Sequence, residues 1–167
     1  MSQSTRFLLL FTAYGLIGFF IYLLPIVDEK VVLPFIRLIA TASGMLIDGF
    51  GGTVEVIRDS LRSPINGFAV KVDNGCSGLE AVILICAAVL AFPTTWKMRL
   101  IGVLGCSAAI ISVNLVRIIS LFYIGQYSME WFEWAHLYAW DIVIMVDGVI
   151  AILLWIRYAI SRTPQPA

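Results

Sequence analysis

Long apolar segments separated by short polar ones form the main pattern of the sequence. The first covers residues 7–27 and contains no charged side chain, and a run of about 20 apolar residues matches the hydrocarbon thickness of a bilayer. A cleaved signal peptide has a shorter apolar region and a small-residue cleavage site, so we expect a retained transmembrane helix here. Three further apolar segments predict transmembrane helices at residues 76–92, 99–125 and 136–160.

Residues 31–50 are less apolar, and their polar positions are spaced like one face of a helix. Arg37, Thr41, Gly44 and Asp48 recur at intervals of three or four residues. Such a stripe suits a helix that lies at the membrane interface, or one that turns its polar side toward other helices. The pattern leaves open whether this segment also crosses the bilayer, so it predicts either four or five transmembrane helices.

Residues 53–73 alternate between polar and apolar positions, as half-exposed strands do. The alternation is clear at both ends of this segment, and residues 60–66, which include Pro64, would connect the two strands. We therefore expect a small extracytoplasmic β-hairpin that leads directly into Cys76.

The composition supports an integral membrane protein. Hydrophobic residues make up 60% of the chain and charged residues only 13%, with a mean hydropathy of +0.95. A soluble domain is nearer half apolar and a quarter charged. The predicted fold is an all-α polytopic membrane protein with four to five transmembrane helices and the hairpin, as one domain over residues 1–167. Basic and acidic residues are equal at 11 each, so no basic surface is expected to bind nucleic acid.

Charged residues beside the apolar segments predict the orientation of the chain. In the second half they are Lys97, Arg99, Arg157 and Arg162. Because basic flanks stay in the cytoplasm, we expect these helix ends inside, and Cys76 and His136 outside. Arg6 indicates a cytoplasmic N-terminus, which agrees with this arrangement only if residues 31–50 do not cross fully.

Helix length brings three chemically active side chains to one depth. Arg117 lies twenty residues after Lys97, which is ~30 Å at 1.5 Å per residue, about one bilayer thickness. Cys76 begins the preceding helix at that outer surface, and His136 begins the following one. We expect Cys76, Arg117 and His136 at the same level, although this argument says nothing of their lateral distance.

The residue types favour nucleophilic catalysis. With three cysteines, not all can pair, and Cys86 and Cys106 lie inside apolar helices, so Cys76 is expected to be a free thiol. A thiol at a helix N-terminus meets a positive dipole end that favours the thiolate. His136, the single histidine, could take and return the proton, and Arg117 could stabilise a thiolate, an oxyanion or a substrate carboxylate.

Neighbouring residues are candidates for supporting roles. Asn114 lies one turn before Arg117 and could orient it or donate a hydrogen bond. Gly75 and Gly78 would let the backbone approach a substrate carbonyl, and N–H groups near Ser77 could form part of an oxyanion hole. No cofactor is expected.

Each of these residues also has a structural interpretation. Cys76 could be a small packing residue, Arg117 could extend to lipid headgroups, and His136 could be an interfacial anchor. Cys76 and His136 without a third ligand are weak support for a metal, so no metal site is predicted. The roles of three acidic residues remain open: Glu80, Asp141 and Asp147.

Three motifs in order resemble the exosortase/archaeosortase family. They are Asn-Gly-Cys-Ser-Gly-Leu at residues 74–79, Asn-Leu-Val-Arg-Ile at residues 114–118, and the lone His136 at the start of the last predicted helix. The resemblance covers roughly residues 31–160, and the length is similar to that of the short exosortase H type. Family members often have eight transmembrane helices, more than this chain.

The resemblance implies a cysteine protease and transpeptidase at the outer face of the cytoplasmic (inner) membrane. Its substrates would be secreted proteins with a C-terminal sorting signal, which consists of a short motif, a transmembrane helix and a basic tail. Cys76 would form a thioester at the motif, His136 would act as acid and base, and Arg117 would stabilise substrate or oxyanion. A lipid or envelope component would then accept the protein.

Other classes of function remain open on the sequence. A non-catalytic membrane assembly or scaffold protein would use the polar stripe of residues 31–50 to hold partner helices. A thiol oxidoreductase would need a second outward-facing cysteine, and a transporter would show internal repeats with paired broken helices. Neither feature is present in the sequence.

Overall fold

The structure is a computed structural model, and it describes residues 2–162. Residue 1 and residues 163–167, which belong to the predicted single domain, lie outside the described residues. The helices are α1 (Gln3–Tyr22), α2 (Pro25–Gly49), α3 (Leu79–Ala91), α4 (Trp96–Tyr127) and α5 (Met129–Arg162). The strands are β1 (Glu55–Ile57), β2 (Ser60–Arg62) and β3 (Ala69–Lys71), and a short 3-10 turn (Asn74–Cys76) precedes α3.

Hydroxyl side chains and prolines account for several helix ends. Ser2, Thr95 and Ser128 accept hydrogen bonds from backbone N–H groups three residues later, at 3.1, 3.4 and 3.4 Å, and so cap α1, α4 and the start of α5. Pro25 begins α2, and Leu24 before it is extended, the conformation favoured for a residue that precedes proline. The first apolar segment therefore ends its helix at Tyr22 rather than at residue 27.

The last helix begins earlier than the sequence indicates. We expected His136 to open it, but α5 begins at Met129 and carries a π turn at Ala135–Ala139. The aromatic segment before His136 forms the first turns of this helix, because Ser128 supplies its N-cap. His136 thus lies within a helix, on a locally widened turn.

The predicted hairpin is a three-stranded antiparallel sheet in the order β1-β2-β3. The additional strand, β2, comes from residues that we had assigned to the connection. Leu61 in its centre pairs with Val56 on one side and Val70 on the other, and it is fully buried. Three residues are too short for alternation to be recognised, so the sequence pattern could not identify this strand.

The helices confirm a polytopic membrane protein. Within residues 2–162, four helices are long and apolar enough to cross a membrane, namely α1, α2, α4 and α5, while α3 is an apolar helix of 13 residues. Two clusters of buried side chains hold them together. One joins α3, α4 and α5 around Val89, Cys106, Ile110 and Trp155.

The other cluster joins α2 and the sheet to the second half of α4. It includes Ile36 and Ile47 of α2, Leu61 of β2, and Ile118 and Phe122 of α4. Close van der Waals packing of this kind stabilises contacts between helices in a membrane. The sheet and α2 therefore belong to the same end of the molecule.

Both ends of α2 contact this sheet-bearing half. At its start, the Asp28 carboxylate accepts a hydrogen bond from the Asn74 side-chain amide at 3.0 Å. At its end, Gly44 lies against Val56, and the following loop lies against Tyr123 near the end of α4. A helix of 25 residues is about 37 Å long at 1.5 Å per residue, so α2 lies along this half of the molecule.

The basic residues at the starts of α1 and α4 and at the end of α5 lie at the opposite end. Arg6 and Arg99 line one cavity of about 140 Å³, which places the start of α1 beside the loop between α3 and α4. The indole N–H of Trp155 donates to the carbonyl of Met98 at 2.9 Å, so the end of α5 lies there as well. The starts of α1 and α4 and the end of α5 thus form one basic end, and Cys76 lies at the other.

Candidate active site

Cys76 lies in a tight turn between β3 and α3. Its N–H donates to the Asp73 carbonyl at 2.9 Å, and the Ser77 hydroxyl donates to the Asn74 carbonyl at 2.7 Å. Ser77 is fully buried, and this hydrogen bond of its hydroxyl stabilises the turn. Because these bonds are local, the position of the thiol relative to the helices depends on what else contacts the turn.

That second contact comes from Asn114 in the middle of α4. Its side-chain amide donates to the Cys76 carbonyl at 3.0 Å, and Asn114 is fully buried. Gly78 makes this approach possible, because a Cβ there would lie 3.2 Å from Asn114 Cγ. Gly78 also has φ of +78°, a left-handed conformation that costs other L-residues roughly 1–2 kcal/mol.

His136 of α5 lies against the thiol. Cys76 Sγ is 3.9 Å from His136 Nδ1 and 3.8 Å from Nε2. These lengths fit a weak sulfur hydrogen bond, and catalytic pairs of this kind are often loose in the absence of substrate. The imidazole stacks on the Phe132 ring, with centroids 5.7 Å apart and an interplanar angle of 13°, which holds the ring plane beside the sulfur.

Arg117 connects α4 to the π turn that carries His136. Its Nη2 donates to the His136 carbonyl at 3.5 Å and lies 3.3 Å from Asp141 Oδ1. The Arg117 side chain is almost entirely buried, whereas that of Asp141 is 61% exposed. Among the described residues, Arg117 Nε has no hydrogen-bond partner. The structure thus brings Cys76, His136 and Arg117 together laterally, which depth alone could not predict.

Burial opposes ionisation of the thiol. It raises the pKa of Cys76, and although the nearby Arg117 guanidinium lowers this pKa, the negative charges of Asp73 and Asp141 raise it further. Burial thus opposes the thiolate that the helix N-terminus is expected to favour. A neutral thiol needs a base at the moment of attack, and His136 is the base within reach.

Three backbone N–H groups around Ser77 already donate hydrogen bonds. Cys76 N–H donates to Asp73, Ser77 N–H donates to the Asn74 carbonyl at 3.2 Å, and Leu79 N–H donates to the Ser77 hydroxyl at 3.3 Å. The N–H of Gly78 is not among these engaged donors, so the expected oxyanion donor near Ser77 stays a prediction. Arg117 Nε also has no hydrogen-bond partner among the described residues, although Arg117 does not line the cavity.

The thiol and the imidazole line a cavity of about 220 Å³. Its other walls are β3 with Val72 and Asp73, residues of α4, and Phe132. Phe132 and the β3 wall were not identified from the sequence, because nothing in their local pattern indicates a site. Asp141, whose role was left open, contacts Arg117, while Glu80 and Asp147 form no bond with Cys76, Arg117 or His136 among the described residues. Within residues 2–162, no cluster of three metal-ligating side chains is present.

The comparison with known families gives a match over most of the chain. The family model described as transmembrane exosortase matches residues 2–156 of the 167-residue chain. The chain belongs to this family. No curated protein and no solved structure matches the sequence. Membership supports a membrane transpeptidase role for this exosortase, in agreement with the residues that converge at Cys76.

Replacing Gly78 should disturb the contact between Asn114 and Cys76. We expect Gly78→Ala to lower the stability by about 1–2 kcal/mol from backbone strain alone, and to change the reactivity of Cys76 because the new Cβ displaces Asn114. Thermal unfolding in detergent and the alkylation rate of Cys76 measure the two effects. Gly75→Ala is the matched control, since no atom lies within 4 Å of a Cβ there. Equal unfolding temperatures for the two variants would contradict this role of Gly78.

The thiol should ionise above the ordinary range for cysteine. In a variant with Cys86 and Cys106 replaced by alanine, the alkylation rate of Cys76 should rise with pH through a midpoint higher than in the detergent-denatured protein. Because the Arg117 cation lowers this pKa and the Asp73 anion raises it, Arg117→Gln should move the midpoint up and Asp73→Asn should move it down. A midpoint below that of the denatured protein would contradict the prediction that burial has the largest effect on the pKa of Cys76.

Proposed function

We propose that this exosortase cleaves secreted proteins near their C-termini through a thioester on Cys76 and transfers them to an envelope or lipid acceptor. The observation that carries the proposal is the contact of Cys76 Sγ with His136, at 3.8 Å from Nε2, on the wall of a cavity. A free thiol, a single histidine and a buried arginine are the parts that acyl transfer needs.

The first half of the reaction forms the thioester. Cys76 Sγ attacks the carbonyl carbon of the scissile peptide bond while His136 removes the thiol proton, because burial keeps the thiol neutral until then. The negative charge that develops on the carbonyl oxygen is stabilised by the Arg117 guanidinium. The carbon–nitrogen bond then breaks, and His136 returns the proton to the departing amine, which leaves with the C-terminal fragment.

The second half releases the protein. An amine or another nucleophile of the acceptor attacks the thioester carbonyl and loses a proton to His136, and the carbon–sulfur bond breaks. The thiolate that leaves recovers the proton from His136, so the enzyme returns to its starting state. Asn114 and Arg117 serve both halves, since one holds the Cys76 backbone and the other the His136 carbonyl, and fixed geometry removes much of the entropic barrier.

The depth of the site supports a substrate with its own membrane helix. Cys76 lies at the end of the molecule opposite the basic ends of α1, α4 and α5. A substrate helix beside this protein would place its basic tail at the basic end and the preceding short motif at the level of Cys76. A signal with motif, helix and basic tail in that order therefore matches the thickness of the protein.

The same arrangement supports an active site on the extracytoplasmic face of the inner membrane. Basic ends remain in the cytoplasm, and Arg6, Lys97, Arg99 and the end of α5 share one end of the molecule. Both ends of α2 contact the other half, so α2 lies at the outer interface while α1, α3, α4 and α5 cross. This arrangement reconciles a cytoplasmic N-terminus with an outward-facing Cys76.

Processing of a reporter tests the reaction. The reporter is fused to the C-terminal motif, apolar helix and basic tail of a secreted protein from the same genome, and its mass is measured. Cys76→Ala should abolish the mass change, and His136→Ala and Arg117→Ala should slow it, the former by about 10²–10⁴-fold for loss of a general base. Cys106→Ala is the control and should process normally, because Cys106 is buried in the other cluster. Normal processing by Cys76→Ala would refute the nucleophile, and a scaffold role would then be favoured.

Labelling from outside tests the orientation. In right-side-out vesicles, a membrane-impermeant maleimide should label Cys76 in a variant whose other two cysteines are alanine. The matched control replaces Cys76 by serine and Lys97 by cysteine in the same background, and it should react only after permeabilisation. Labelling of position 97 from outside in the intact vesicles would reverse the proposed orientation.

A further inference from the structure

The third strand of the sheet has a free edge, and this edge borders the cavity that contains Cys76 and His136. In the described residues the order is β1-β2-β3, so β3 pairs with β2 on one side only. Five consecutive residues, 69–73, line the cavity together with the thiol and the imidazole. An unpaired strand edge presents peptide N–H and C=O groups that can pair with another extended chain.

The hydrogen bonds at both ends of β3 show which peptide groups face β2. Phe68 accepts from the N–H of Ser63 at 2.8 Å, and the N–H of Val72 donates to the Asp59 carbonyl at 2.8 Å. In an antiparallel pair, residues alternate between facing the partner strand and facing away. The even-numbered residues from Phe68 to Val72 therefore bond to β2.

The peptide groups of Ala69 and Lys71 consequently face away from β2, toward the cavity. Both side chains are on the exposed face of the sheet, and those of Val70 and Val72 are packed in the cluster with α2 and α4. The edge thus offers the N–H and C=O of two alternate residues to a chain lying in the cavity.

The cavity borders β3 along the whole strand. At the start of the strand, the Phe68 and Phe132 rings meet with centroids 5.8 Å apart, and Cys76 and His136 lie beyond its end. From Phe68 to Asp73 the chain advances about 17 Å at ~3.3 Å per residue. A peptide of about five residues can therefore lie alongside this edge. Ile118 and Leu121 line the cavity from α4 and would contact every second side chain of such a peptide.

We propose that the recognition segment of the substrate adds to β3 as a fourth strand, parallel to it, and so presents its scissile carbonyl to Cys76. The proposal rests on the proposed function and specifies how the same site binds an extended polypeptide. Addition of a strand uses main-chain hydrogen bonds for affinity and alternate side-chain pockets for specificity.

The parallel direction follows from depth. Phe68 at the start of β3 lies against Gly125, near the end of α4, whereas Cys76 is bonded to Asn114, nearly three turns nearer the membrane. β3 therefore runs toward the membrane. A substrate whose motif precedes its transmembrane helix also runs toward the membrane, so the two chains have the same direction.

Removal of one edge N–H tests the proposal. Ala69→Pro deletes the N–H that faces the cavity and no hydrogen bond of the sheet, and proline is tolerated at such edge positions. We expect reporter processing to slow about three- to ten-fold, the effect of one lost hydrogen bond. Ala69→Ser is the matched comparison: it changes the same side chain but keeps the N–H, so it should process about three- to ten-fold faster than Ala69→Pro. Equal rates for the two variants, whether both normal or both slow, would overturn the proposal.

Disulfide trapping provides a second measurement that leaves the backbone intact. In a Cys76→Ser background, cysteine at position 69 or 71 is combined with single cysteines along the reporter motif. Trapping should peak at two reporter positions two residues apart, with position 71 pairing with the one nearer the transmembrane helix. The opposite order, or uniform trapping, would overturn the parallel strand.

The experiments separate this proposal from the proposed function. If Cys76→Ala abolishes processing and Ala69→Pro equals Ala69→Ser, the thioester reaction stands and the added strand is wrong. If Cys76→Ala processes normally, the reaction itself is wrong, while ordered trapping would still show the strand. Alkylation of Cys76 in Ala69→Pro at the wild-type rate confirms that this variant keeps its site.

Discussion

The hydrogen bond from the buried Asn114 amide to the Cys76 carbonyl joins the two parts of the molecule on which the site depends. The turn that carries Cys76 is built from local bonds, and by itself it could take many positions relative to the helices. Asn114 attaches it to the middle of α4. Because an unpaired buried amide or carbonyl costs about 1–3 kcal/mol, the contact is strongly favoured once both groups are out of water. The left-handed Gly78 and the buried Ser77 are needed for the turn to make it.

The surroundings of the Cys76 thiol affect both its ionisation and its protection from oxidation. Burial disfavours the thiolate, and this effect exceeds that of the neighbouring guanidinium. A permanently ionised thiol exposed at the membrane surface would be open to oxidation. In the proposed reaction, the neutral thiol attacks only when His136 takes its proton, which would couple its reactivity to the arrival of a substrate.

Some of this arrangement could be predicted from the sequence, and the reason is the regular rise of a helix. Counting from Lys97 to Arg117 gives the depth of the arginine because each residue adds 1.5 Å. Lateral position has no such rule: it depends on packing among α3, α4 and α5. The same applies to β2, whose three residues form a strand only because Leu61 is covered by α2 and α4, and to the β3 edge, which becomes part of the site through tertiary contact alone.

The Arg117 side chain contacts the turn that carries His136 in a way that suits an arginine. The π turn at Ala135–Ala139 widens α5, and the His136 carbonyl accepts from Arg117 Nη2. The same guanidinium contacts the Asp141 carboxylate one turn later. Its Nε has no hydrogen-bond partner among the described residues. A lysine ammonium offers a single charged centre, whereas the guanidinium fork can hold the carbonyl and the carboxylate and still present a donor. One side chain of α4 thus contacts the turn that carries His136 at two points, while Asn114 one turn before it holds the backbone of Cys76.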